Sequence, residues 1–148
     1  MKRYLSILIP CYNYICIPIV DELSRQAQSI RYLTYEIVVI DDGSTEKTMV
    51  EVNNQINRMC NCRYVVLTNN IGRAAVRNRL AKEAQYSNLL FIDCKHHLPD
   101  RHFIERYLQY YDNDVVNGGV RIVGNADLLG GNLRFLYELS IKKNDNAC

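Results

Sequence analysis

This chain lacks a strong charge of either sign: its 148 residues carry a net +2 at neutral pH. A balance that small argues against nucleic acid or an anionic membrane surface as partner. Long apolar runs are missing too, and no stretch approaches the roughly 20 residues of a membrane span. The segment "YLSILIP" near the start is too short for a signal peptide and has no cleavage site. A G-x-G-x-x-G turn is absent after the first strand-like run, as is any Walker phosphate loop. NAD and ATP in their usual cradles are therefore disfavoured. The pair Cys60 and Cys62 has one residue between, not the two to four of common zinc sites. With the other four cysteines scattered, reduced thiols in a cytosolic protein are the simpler reading.

What is present is globular, with 48% hydrophobic and 23% charged residues. The length suits one domain with a real core, so residues 1–148 are read as a single domain. Short apolar runs alternate with longer amphipathic ones. Strands are expected at Tyr4–Pro10, Tyr35–Ile40, Arg63–Thr68, Asn88–Ile92 and Asp114–Ile122. Their near-continuous apolar character fits strands covered on both faces, as in a parallel sheet. Helices are expected at about Pro18–Ile30, Thr45–Met59, Arg73–Gln85 and Asp100–Tyr111. Pro18 suits a helix start, and Ser44 and Asp100 suit N-caps. In the third helix Ala74, Ala75, Leu80, Ala81 and Ala84 group against Arg77, Arg79, Lys82 and Glu83. The alternation predicts an α/β fold of right-handed β-α-β units, a Rossmann-like and mainly parallel sheet flanked by helices. One more helix is expected in "LRFLYELSIKK", and the final "NDNAC" reads as a cut, so the fold is expected to be truncated.

In such sheets ligands collect at the carboxyl ends of the strands. That rule selects "PCYNY", "DDGS", "NNIGR" and "DCKHH", where polar and glycine residues cluster. "DDGS" reads either as a βα turn, with Gly43 supplying an unusual backbone angle, or as acids placed to accept from a base N–H or ribose hydroxyl. Arg73 and Arg77 share one helix face. They are either a solvated basic face or, with the helix N-terminus, a contact for diphosphate oxygens.

The order "LSILIPCYN", "EIVVIDDGST", "NNIGRAAVRN" and "LLFID" resembles the nucleotide-binding half of family 2 glycosyltransferases, inverting enzymes of the GT-A fold. The resemblance runs from about Leu5 to Ile122. Tyr12 and Asn13 match the family's T-Y-N turn, Asp41 and Asp42 its D-D-G-S. Gly72, Arg77 and Asn78 match its N-x-G-x-x-x-A-R-N stretch. The resemblance implies a nucleoside-diphosphate sugar, with uridine the first choice of base, lying across the strand ends. It implies that Tyr12 edges the base, that Asp42 binds it and that Pro10 offers backbone near the ribose. Asn13, Gly72 and Arg77 complete the donor site, Arg77 near the base or phosphates. It implies a glycan or lipid-linked acceptor, polysaccharide or cell-surface glycan synthesis, and a cytoplasmic protein working near the inner face of a membrane.

Two departures bear on activity. Asp93 holds the first position of the D-x-D motif, but Lys95 stands where the second acid belongs. Two acids would hold Mg²⁺ or Mn²⁺ against the diphosphate. Here three readings stay open. Lys95 supplies the positive charge itself; Asp93 with His96 or His97 holds a transition metal; or the chemistry is lost and the domain is a catalytically inactive binding or interaction module. An unrelated Rossmann-like protein is a further rival. The second departure is length: the general base of the family lies in a following half, so it is expected beyond Cys148, and no catalytic residue is assigned here.

Overall fold

The structure, a computed structural model, describes residues 1–119. The chain divides into a unit over Met1–Asp114 and a second over Val115–Cys148. In the first unit four strands, β1 (Arg3–Cys11), β2 (Leu33–Asp41), β3 (Cys62–Val66) and β4 (Leu89–Phe91), form one sheet. Every pairing is parallel and the spatial order is β3-β2-β1-β4. Between the strands run α1 (Ile17–Ser29), α2 (Lys47–Asn53) and α3 (Arg73–Glu83), with α4 (Phe103–Leu108) after β4.

Strand period two sorts the core. Ile7, Ile9, Ile37 and Val39 point to one face, where Val20 and Leu23 of α1, Ile56, and Ile104 and Leu108 of α4 cover them. Leu8, Val38 and Ile40 point to the other, against Val76 and Leu80 of α3. Both faces of β1 and β2 are thus buried, which accounts for their unbroken apolar spelling.

The first four expected strands and the four helices that accompany them form, with differences at their ends. α1 carries Pro18 in its first turn, where the missing N–H costs nothing. α2 stops at Asn53 and continues as a 3-10 turn over Asn54–Arg58, consistent with its weak apolar face. α3 buries Val76 and Leu80, with Ala84 partly buried beside them, a spacing of four. Ala74 is exposed, and Ala75 and Ala81 are only half-buried, because α3 touches the sheet along that single row. The caps differ as well. α2 and α4 begin from Glu46 and His102, so neither Ser44 nor Asp100 is the N-cap. Ser44 Oγ is taken by the Asn13 N–H at 2.7 Å, and Asp100 accepts from the His102 N–H at 2.8 Å and from Arg106.

The expected strand over Asp114–Ile122 does not form in its described part, Asp114–Gly119. Asn117, Gly118 and Gly119 are poor strand formers, and Gly119 has φ +66°. The remainder of that strand and the helix expected in "LRFLYELSIKK" lie outside the described residues.

Candidate functional site

With order β3-β2-β1-β4 the chain winds in one direction from β1 through β2 to β3, then crosses to the other side for β4. The crevice outside the carboxyl ends of β1 and β4 is the point where that direction switches. The loop after β1 and the loop after β4 border it. Lys95 reaches across, its Nζ 5.9 Å from the centre of the Tyr14 ring. Asp93 is half-buried, accepting the Lys95 N–H at 3.2 Å on Oδ1 and the His96 N–H at 3.0 Å on its carbonyl.

The loop after β1 is fastened to the loop after β2. Asn13 adopts φ +46° and its Oδ1 accepts the N–H groups of Thr45 and Glu46 at 2.9 and 3.2 Å. Glu46 is the N-cap of α2, whose N–H has no helical partner, and Thr45 is the residue before it. Asp41 is buried, accepting the Ser44 N–H on Oδ1 at 2.7 Å and the Tyr64 hydroxyl on Oδ2 at 2.6 Å. Burial, and then this carboxylate, push the Tyr64 phenol above its usual range.

The loop after β2 is fastened in turn to the loop before α3. Asp42, 4% exposed, accepts the Ile71 N–H on Oδ1 at 2.7 Å and the Gly72 N–H on Oδ2 at 3.0 Å. Gly43 lies against the same loop: a Cβ there would stand 2.7 Å from the backbone of Asn69 and Asn70. Gly72 has φ +92° and starts α3. The βα-turn reading of "DDGS" accounts for these contacts. Each carboxylate oxygen of Asp42 keeps a further lone pair.

Of the residues expected at the site, Pro10, Tyr12 and Asn13 lie at or just past the end of β1, with Tyr12 exposed. Asp42 joins them directly, its N–H donating to the Cys11 carbonyl at 2.8 Å. Gly72 is brought in by Asp42, and Asp93 and Lys95 by the pairing of β4 with β1. Arg77 is half-buried in the second turn of α3, and no hydrogen bond or ion pair ties it to the others among the described residues. A cavity of about 440 Å³ lined by Glu36, Asn61, Arg63 and Gln85 lies at the amino ends of β2 and β3, remote from these loops.

Sequence reasoning missed a cluster beneath the crevice. The sulfurs of Cys11, Cys16 and Cys94 all lie within 4.8 Å of one another, and all three residues are buried. Hydrogen bonds from Cys11 and Cys16 hold the Cys94 thiol down at about 4. Hydrogen bonds to Cys11 and Cys94, with burial, push Cys16 far up. Asn53, fully buried, accepts the Cys16 N–H at 2.8 Å and donates to the Tyr14 carbonyl at 2.7 Å, fixing the loop between the two cysteines. The Cys11 and Cys16 spacing, four residues between, was the available signal.

A hard divalent cation does not fit the loop after β4. It offers one carboxylate and, two residues on, an ammonium, while His96 and His97 are exposed. Among the described residues no group of three or more ligating side chains includes Asp93; the cysteines form the one such group. No described helix is long and apolar enough to cross a membrane.

Comparison with known proteins agrees with the fold. The sequence matches glycosyl transferase family 2 over residues 6–146. It is 36% identical over 89 residues to an uncharacterized glycosyltransferase of Haemophilus influenzae, covering 60% of this chain and 35% of that protein. It is 29% identical over 129 residues to a poly-beta-1,6-N-acetyl-D-glucosamine synthase of Staphylococcus epidermidis, covering 85% and 31%. The chain thus spans about a third of the length of these relatives. S. aureus TarS 1-349, solved with UDP-GlcNAc, superposes with TM-score 0.58 at 26% identity, covering 85% of this chain and 38% of that one. A Pyrobaculum calidifontis mannosyltransferase, solved with GDP-Man and Mn²⁺, shares the fold at TM-score 0.59 and 20% identity, over 86% and 37%. The parallel sheet flanked by helices is that of GT-A glycosyltransferases. The chain belongs to glycosyl transferase family 2.

Proposed function

We propose that this chain is the donor-binding portion of an inverting glycosyltransferase and takes a UDP-sugar across the carboxyl ends of β1, β2 and β4. In this reading the exposed Tyr12 edges the base, with Asn13 and Gly72 shaping the loops around it. Pro10 lends backbone near the ribose, and Asp42 reaches the base through its remaining lone pairs. Arg77 and the start of α3 serve the base or phosphates. The acceptor is a glycan or lipid-linked sugar in surface polysaccharide synthesis, at the cytoplasmic face of a membrane. TarS, solved with UDP-GlcNAc, and the poly-N-acetylglucosamine synthase support the choice of donor and pathway.

The observation that carries the reading is Lys95, whose ammonium lies over Tyr14 at the switch-point crevice. There it offsets diphosphate charge that two acids and a cation would otherwise manage; stabilising the leaving group is electrostatic in both cases. Asp93 then orients the loop through its bond to the Lys95 N–H. Titration with UDP, with and without Mn²⁺, tests this. Binding should be metal-independent, and Lys95→Ala should weaken UDP while leaving uridine unchanged. Equal loss for both ligands, or UDP binding only with Mn²⁺, would overturn the role of Lys95.

The same residue also favours a second reading, a binding module that keeps the nucleotide and no longer transfers the sugar. Incubation with a UDP-sugar separates the two: release of UDP by hydrolysis or transfer requires an active centre, and tight binding without turnover identifies the module.

A further inference from the structure

We propose that Cys11, Cys16 and Cys94 form a thiolate site for a soft d¹⁰ metal ion, with Zn²⁺ as its cellular occupant. The three sulfurs already lie within 4.8 Å of one another. Tetrahedral zinc with Zn–S bonds of about 2.3 Å holds its sulfurs about 3.8 Å apart, so closure needs movements of about 1 Å or less. Cys11 and Cys16 have four residues between, inside the spacing of known zinc pairs. Cys94 arrives through the parallel pairing of β1 with β4.

The chemistry of the donors selects the ion. The cluster contains neither carboxylate nor imidazole, so it has nothing for Mg²⁺ or Mn²⁺ and suits thiophilic cations. As thiols Cys11 and Cys16 are poorly served. Cys11 donates to the Tyr14 carbonyl at 3.2 Å and Cys16 to the same oxygen at 3.8 Å, and that oxygen already accepts from Asn53. Binding replaces the S–H protons by one cation: Zn²⁺ held by three thiolates carries net charge −1, and each proton that the sulfurs still hold leaves to solvent.

The Asp41 and Asp93 carboxylates nearby oppose that negative charge, and three other features of the surroundings offset them. Cys16 is the N-cap of α1, a 13-residue helix whose N-terminal dipole favours an anion. The Asn53 amide points an N–H at Cys11 Sγ from 3.9 Å, the kind of outer contact that steadies a metal ligand. Lys95 follows Cys94 directly and brings a cation to the loop. The Tyr14 carbonyl, against two of the sulfurs, offers an oxygen for the fourth position. An ion here would staple the loop carrying Tyr12 to the loop carrying Asp93 and Lys95.

The test uses the reduced, metal-stripped 148-residue chain. Titration with Co²⁺ should produce a sulfur-to-metal charge-transfer band that saturates at one equivalent and is displaced by Zn²⁺. The variant with Cys60, Cys62 and Cys148 all changed to Ser should keep that band. Cys94→Ser should weaken Zn²⁺, measured against a chromophoric chelator, by about 100-fold or more. Because a buried serine can disturb folding, alkylation of the unmutated chain is read in parallel by mass spectrometry. Zn²⁺ should protect Cys11, Cys16 and Cys94 and leave Cys60 and Cys62 reactive. No charge-transfer band, a band lost in the triple variant, or a disulfide within the triad of the purified protein would each overturn the proposal. None of these readouts uses a nucleotide, so failure here leaves the donor-site reading untouched.

Discussion

Replacing Asp42 tests whether its carboxylate holds two loops together or only waits for a ligand. The structure gives it two backbone donors, Ile71 N–H at 2.7 Å and Gly72 N–H at 3.0 Å, with 4% of the residue exposed. A hydrogen bond to a charged acceptor is worth about 1.5–3 kcal/mol net. Ile71 is exposed and Gly72 half-buried, so water recovers part of the loss at each amide. The lower end of the range therefore applies twice, and Asp42→Ala should cost about 2–4 kcal/mol. For a chain of this size that is roughly 5–15 °C in Tm. Asp42→Asn keeps one acceptor and turns an NH₂ toward the other amide, so it should cost less, about 1–3 kcal/mol. Urea unfolding followed by far-UV circular dichroism measures both. The reasoning is refuted if Asp42→Ala unfolds within about 0.5 kcal/mol of the parent, the range of an ordinary surface change. A pure ligand contact predicts a different pattern, with UDP affinity lost and stability intact.

Gly43→Ala should be more harmful than Gly72→Ala. At Gly43 a new Cβ meets backbone at 2.7 Å and φ is +70°, so strain and overlap together should cost about 2–5 kcal/mol. At Gly72 nothing stands within 4 Å of a Cβ, leaving only the strain of φ +92° with ψ 160°, a conformation essentially reserved for glycine, at about 1–3 kcal/mol; equal unfolding midpoints would contradict this. Glu83 accepts from Arg79 and Arg63, which hold its carboxyl below the usual range. A depressed folded pKa stabilises above the unfolded value of about 4.3, and that gain is lost as pH falls through the folded one. Glu83→Gln should thus destabilise by about 0.2–1 kcal/mol at pH 7 and by nothing near pH 2; a difference that persisted in acid would show that the ion pairs are not its source.

Periodicity in the sequence was enough to place β1, β2, α1 and the doubly buried core, because Ile7 to Ile9 and Ile37 to Ile40 have no polar partner in the alternation. Ends were harder to read. The cap expected at Ser44 was displaced by Asn13, and no local pattern announces a partner 31 residues away; at Asp100 the carboxylate is taken by His102 and Arg106 close by, and the cap falls two residues later. The four loops of the candidate site were legible as loops from strand ends alone. Which atoms their acids face was not: a buried aspartate accepting backbone N–H groups and one open to a ligand have the same spelling. The cysteine cluster was hidden for the same reason, since Cys94 meets Cys11 only after β4 pairs with β1.

The bracing role of Asn13 bears on how such domains are recognised. Its side chain clamps the start of α2, just as Asp41 and Asp42 clamp their neighbours, so these letters earn their place by holding the scaffold upright. A descendant that had given up chemistry altogether would be selected to retain them. Signature letters at these positions therefore report that the architecture survives, and turnover has to be judged at positions such as Lys95, where folding makes no comparable demand.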